Sequence, residues 1–280
     1  MRRLLGTALA AVALLVAGCK NDFAPQSDLL GLRVLALVAD HPELAPGQPV
    51  TLTPWIYVPG APTSTTHRWT FCPASAGAVS AYACALPACE VELVPGAGGV
   101  VTANPTDLLR ECGGGSIPPG IPEPLVTLFR YRVTAVEAGV ADSREAILQV
   151  PQWNRSVPAN PNLPPVIEDV LVGGVSVRGG GAIPPIAPGG LLTVELRIDP
   201  ASVQTYVDGA GVTQTETMTG YFYTNGGTFS SGVLTGVDTV TNLEGAGLVA
   251  GQPPIQVWVV ALDLRGGQAV LGPITVPVGP

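Results

Sequence analysis

Proline and glycine interrupt this chain so often that a long helix has nowhere to form. Glycine occurs 35 times and proline 29 times in 280 residues. Proline removes a backbone donor and clashes with the preceding helical turn, and glycine loses the most backbone entropy on ordering. A content this high lies near the edge of what marks a disordered chain. Yet 46% of the residues are hydrophobic, and Val, Ile, Leu and Thr gather into short runs, the pattern of many short strands joined by turns. No long segment with a 3.6-residue apolar period follows the first twenty residues, so an all-β fold with very little helix is predicted.

The runs fall into two groups. Candidate strands at 32–38, 49–58, 67–71, 90–94, 125–138 and 144–150 form a first domain, 30–152, in which the last two strands pair across a short turn near 139–143. The stretch PQWNRSVPANPNLPP at 151–165 holds five prolines, which cannot join a sheet interior, so 153–165 is read as a stiff linker. A second domain, 166–280, carries strand candidates at 170–174, 191–199, 217–224, 227–234, 239–245, 255–263 and 268–276. Asn225-Gly226 between two of these is a hairpin signal, because both residues tolerate the positive φ of a type I′ turn.

The halves also match each other. Ala45-Pro46-Gly47-Gln48-Pro49-Val50-Thr51-Leu52 aligns with Ala187-Pro188-Gly189-Gly190-Leu191-Leu192-Thr193-Val194, and Tyr131 to Glu137 aligns with Val257 to Asp263. Each pair lies at an equivalent place, which indicates one fold used twice. Three features resemble bacterial immunoglobulin-like domains: a Pro-Gly turn leading into a strand, a central aromatic strand, and a terminal hairpin closing on Gly266-Gly267. The resemblance implies two tandem antiparallel β-sandwiches with Trp69 and Phe222 as core-filling aromatics. Tyr221 and Tyr223 flank Phe222, so the two-residue period of a strand turns them to the opposite, outer face.

The leader decides location. Arg2 and Arg3 precede an uncharged apolar run from Leu4 to Ala17, too short to span a bilayer, and Val16-Ala17-Gly18 places small residues before Cys19. This order resembles the lipobox of bacterial lipoproteins. The resemblance implies removal of residues 1–18 and acylation of Cys19 by chains such as palmitate. Residues 19–29 then read as a polar tether. Lys20, the sole lysine, occupies the position where a residue other than Asp implies the outer membrane. The formal net charge of −8 offers no basic patch to neutralise phosphates, which argues against nucleic acid as a partner.

The other cysteines, Cys72, Cys84, Cys89 and Cys112, all lie in the first domain. In an exported protein they read as two disulfides, with Cys72 pairing to Cys84 or Cys89 and Cys112 taking the other. A structural zinc site is the alternative, although no C-x-x-C knuckle is present. His41 and His67 stand apart from any nucleophile motif, and no G-x-S-x-G, H-E-x-x-H or phosphate-loop pattern occurs. Glu168 and Asp169, adjacent on a strand, point to opposite faces, and Asp263 lacks the clustered Asp/Asn loop of a calcium site. No catalytic residue and no cofactor is therefore assigned. The leading expectation is a lipid-anchored envelope protein acting as a non-catalytic interaction or structural module, with an envelope protein as partner. The second is binding of polysaccharide or another small ligand through Tyr221 and Tyr223.

Overall fold

The computed structural model describes residues 26–112, 123–156, 160–208 and 210–280. The leader, Cys19 and most of the stretch read as tether lie outside the described residues. The fold is all-β, as the run pattern predicts.

Seven strands build the first sandwich: β1 (Arg33–Ala39), β2 (Val50–Tyr57), β3 (Ser64–Cys72), β4 (Val91–Leu93), β5 (Val101–Ala103), β6 (Leu125–Glu137) and β7 (Val140–Gln152). They form two antiparallel sheets, ordered β1-β2-β5 and β4-β3-β6-β7. Between the sheets Trp69 packs on Tyr131 with ring centroids 4.7 Å apart, and Phe71 on Phe129 at 5.4 Å. The Trp69 indole N–H donates to the Gly99 carbonyl at 2.7 Å, which satisfies the one polar atom this buried ring carries. The β6–β7 turn is tighter than the sequence suggests. Glu137 pairs with Val140, and Ala138 and Gly139 both take positive φ, giving a two-residue hairpin.

Among the described residues, one α-helix occurs, α1 (Pro105–Glu111). Asn104 caps it by accepting from the Thr106 N–H at 3.1 Å, Pro105 opens the first turn, and Asp107 and Arg110 complement the helix dipole. Disulfides join Cys72 to Cys84 and Cys89 to Cys112, with Cα separations of 5.7 and 5.1 Å. They pin both ends of the long loop between β3 and β4, and the second ties that loop to the end of α1.

The second sandwich contains β8 (Ile167–Val172), β9 (Val175–Ser176), β10 (Leu191–Ile198), β11 (Thr205–Val207), β12 (Thr213–Thr215), β13 (Thr219–Thr224), β14 (Thr228–Phe229), β15 (Val233–Thr235), β16 (Asp238–Glu244), β17 (Ile255–Leu262) and β18 (Gln268–Val276). One sheet runs β14-β16-β10-β8-β9, the facing one β15-β13-β17-β18, and β11-β12 form a separate hairpin. With β9 and β15 set aside, the fourth, fifth, second and first strands face the third, sixth and seventh. That is the order of an immunoglobulin sandwich. Its core holds Phe222 against Phe229 at 5.6 Å, surrounded by Leu196, Leu243 and Val257.

Both halves begin their second strand from the same turn. Gln48 N–H donates to Ala45 O and Gly190 N–H to Ala187 O, with Gly47 at φ 73° and Gly189 at φ 69°. Proline at the second position and a positive-φ glycine at the third make each a type II turn. The Asn225-Gly226 hairpin is corrected. The strands on either side belong to opposite sheets, β13 pairing with β15 and β17, and β14 with β16. The dipeptide therefore carries the chain across the sandwich, and the run 227–234 divides between the sheets. Positive φ falls instead on Gly227.

Trp69→Ala removes the largest fully buried side chain and leaves a cavity and an orphaned carbonyl. Chemical denaturation followed by near-ultraviolet circular dichroism is expected to show a loss of about 3–5 kcal/mol.

Candidate functional site

Among the described residues, an extended assembly of side chains lies where the two sandwiches meet. Its apolar half begins with β1. A bulge sets Leu35 out of register between the pairs Val34–Ile56 and Ala36–Trp55. Leu37 and Ala39 pack into the first core, while Leu35 and Ala36 join Leu29, Trp258 and Val260 in a cluster between the domains. Trp258 and Val260 alternate along β17 with Val257, Val259 and Ala261, which fill the second core. Strand β17 is thus covered on both faces. Tyr57 meets Trp258 edge-on with centroids 5.5 Å apart.

Register also places Tyr221 and Tyr223. They sit opposite Val260 and Trp258, so they share the face that packs on β1. They turn away from their own core, as strand alternation requires, but onto the first domain rather than onto open solvent. The Arg33 guanidinium lies 5.4 Å from the Tyr223 ring centroid, and burial raises the Tyr223 hydroxyl pKa although that arginine opposes the shift. An apolar groove of about 230 Å³ remains here, between Leu35, Ile147, Tyr221, Tyr223 and Leu262. The tether reading also needs correction at its end. Leu29 N–H donates to Thr224 O and Thr224 N–H to Ser27 O, and Ser27 and Leu29 are buried. The chain is docked on the second domain before it reaches β1.

The polar half is a clasp centred on Arg265. One Nη donates to Glu216 Oε1 at 2.8 Å and the other to Glu43 Oε2 at 3.3 Å, and the guanidinium carbon stands 4.4 Å from the Tyr206 ring centroid. Glu43 belongs to the first domain, Glu216 and Tyr206 to the second. The side chains of Arg265, Glu43 and Glu216 are 18%, 10% and 0% exposed, so the pairing operates largely out of water. Glu43 also accepts from the Trp153 indole N–H at 2.6 Å and the Asn162 backbone N–H at 2.7 Å, which fastens the 153–165 segment at two points.

Asp263 completes the clasp. Its carboxylate accepts from the backbone N–H groups of Arg265 and Gly267 at 2.7 and 2.8 Å, and from the Asn162 amide at 3.0 Å. A side chain at Gly267 would collide with this carboxylate, so the close approach requires glycine. Burial pushes the Asp263 pKa up, against the lowering effect of those hydrogen bonds and of Arg265.

His67 and Asp169, also singled out in the sequence, have structural partners. His67 Nδ1 lies 2.6 Å from the Tyr131 hydroxyl, and burial lowers the histidine pKa. The Asp169 carboxylate accepts from the backbone N–H groups of Val170 and Arg178. Among the described residues no group of three or more His, Cys, Asp or Glu is placed to hold a metal ion. The clasp itself was missed in the sequence, since Glu43, Glu216 and Arg265 are single charges far apart along the chain. The apolar half did carry a signal: Val34 to Ala39 is unbroken by polar residues, the pattern of a strand buried on both faces.

No family model and no curated protein matches the chain. Solved structures that resemble it include the FN1–FN3 domains of chicken CNTN1, at 10% identity, a TM-score of 0.23 and coverage of 88% of this chain and 64% of that one. Murine CEACAM1b matches at 10% identity and a TM-score of 0.23, over 87% and 98%. Dimeric latent PorU from Porphyromonas gingivalis matches at 10% identity and 0.22, over 89% and 24%. At these scores the likeness says nothing about function, and the fold rests on the strand order described above.

Arg265→Ala leaves Glu216 buried without its cation, and a loss of about 3–5 kcal/mol is expected in chemical denaturation; a change under about 1 kcal/mol would show the clasp to be incidental. The pH dependence follows from Asp263. Its folded pKa is raised, so the native state binds a proton more readily than the unfolded chain, and this group adds stability as pH falls from the raised folded value toward 3.8. In Asp263→Asn that contribution is absent. The stability difference between wild type and variant should therefore shift in favour of wild type on going from pH 7 to pH 4.5, read by urea midpoints at both values.

Proposed function

We propose that this chain is a lipid-anchored protein of the bacterial cell envelope, held at the outer membrane by acyl chains on Cys19, and that its two sandwiches act as one non-catalytic interaction or structural body. The membrane half of this reading is carried by one observation: Arg2-Arg3, an apolar run and Val16-Ala17-Gly18 stand in lipobox order before Cys19. Lys20 supports the outer membrane over the inner one.

The body half is supported by the seam. Flexible tandem domains share small, polar contacts and move relative to one another. Here an apolar cluster, a three-group charge clasp and a twice-fastened connecting segment hold the sandwiches in a single relation. A fixed spacing between two rigid surfaces suits a spacer or docking body in an envelope assembly. The partner in this reading is another envelope protein, to be identified by crosslinking in intact cells. For the polysaccharide reading, Tyr221 and Tyr223 offer the narrow groove they share with the first domain rather than an open sheet face.

The test is Cys19→Ser. Wild type is expected to incorporate a palmitate analogue and to fractionate with membranes, whereas the variant should lose the label and move to the soluble fraction. A wild-type mature terminus that begins at any other residue would overturn the anchor.

A further inference from the structure

The outer face of the β4-β3-β6-β7 sheet carries three of the chain's arginines close together, an unusual concentration for an acidic protein. Arg68 and Arg132 are direct cross-strand partners, an arrangement that repels unless each charge is met from elsewhere. Each is met by a carboxylate on an outer strand: Arg68 pairs with Glu92 at 3.0 Å and Arg132 with Glu145 at 2.8 Å. Arg130, opposite Thr70, is treated differently. Its Nη2 donates to the Tyr82 carbonyl in the disulfide-pinned loop, its Nε is buried with no acceptor, and among the described residues no carboxylate pairs with it.

These groups surround a cavity of about 150 Å³, lined by Arg68, Thr70, Glu90, Arg130, Arg132 and Glu145. That volume holds one molecule of about benzene size. Once the two ion pairs are set aside, one cation and one anion remain on its walls, Arg130 and Glu90. They do not pair with each other, and among the described residues Glu90 has no other ion pair. The Cys72–Cys84 and Cys89–Cys112 bridges flank Tyr82 and Glu90 and fix the backbone of that wall, while β6 carries Arg130 on the sheet.

We propose that this cavity binds a small zwitterion of the amino-acid class, its carboxylate on Arg130 and its ammonium on Glu90. A simple anion gains Arg130 but meets Glu90, and a simple cation gains Glu90 but meets Arg130. A ligand with both charges a few ångströms apart meets the Arg130 guanidinium and the exposed Glu90 carboxylate together. With so few contacts and partial solvent access, the affinity is on the order of millimolar and falls with salt.

The test is a titration of the whole mature chain with glycine, β-alanine, acetate or methylammonium, following backbone amide shifts of residues 68–70, 90–92 and 130–132 by nuclear magnetic resonance. A zwitterion should saturate these shifts at a concentration at least tenfold below acetate. Arg130→Gln should abolish the response, Arg130→Lys should retain a weaker one, and Glu90→Gln should bring acetate and β-alanine to equal strength. Equal responses to acetate and β-alanine in wild type would overturn the proposal in favour of a plain anion site. An unchanged titration in Arg130→Gln, or silence toward every probe, would also overturn it.

Discussion

A guanidinium held between two carboxylates from different sandwiches must lose much of its hydration, and so must both partners. Such an arrangement persists only where geometry and neighbouring donors are good enough to offset desolvation. Arg265 meets that condition. Glu216 also accepts the Gln204 backbone N–H at 2.9 Å, Glu43 is filled by Trp153 and Asn162, and Tyr206 covers the guanidinium face. Buried ion pairs are poor sources of net stability, and most of the attraction between the domains comes from Leu29, Leu35, Ala36, Trp258 and Val260 leaving water. What the charges supply is direction. An apolar patch tolerates sliding, whereas a bidentate arginine accepts one placement of its partners.

The two sandwiches share a plan but differ in how they solve the problem of a short sheet. The first has only three strands facing its four-stranded sheet, and it compensates with paired aromatic rings and two disulfides around the β3–β4 loop. The second has no cysteine and instead extends the equivalent sheet to five strands. The consequence is functional as well as structural. The covalently braced loop lies over the sheet face that carries Arg68, Arg130 and Arg132, so the first domain offers a walled polar surface, and the corresponding strands of the second domain are spent on the seam.

Much of this was legible in the chain itself, because it depends on local rules. The paired Ala-Pro-Gly turns announced the second strand of each half, because each puts glycine at the turn position that needs positive φ. Trp69 and Phe222 sat where a central strand needs bulk, and the even cysteine count in one half pointed to bridges. Other features were hidden for physical reasons. Asn225-Gly226 has the chemistry of a hairpin, but tertiary pairing draws its flanking strands into opposite sheets, an outcome no dipeptide controls. The short strands β11 and β12 hold polar, exposed residues such as Thr213 and Gln214 and give no periodic signal. The Asn104-Pro105 pair did carry a helix start, too brief to register against the surrounding glycines. Alternation correctly turned Tyr221 and Tyr223 outward from their core, but a period of two cannot say what stands across from them.

The docking of Ser27 and Leu29 beside Thr224 settles where the body receives its N-terminal segment. That point is the waist between the sandwiches, not the far tip of the first. Lys20 to Gln26, at about 3.4 Å each when fully stretched, reach roughly 25 Å. A fastening at Cys19 would thus reach the body at the seam between the sandwiches rather than at an outer end.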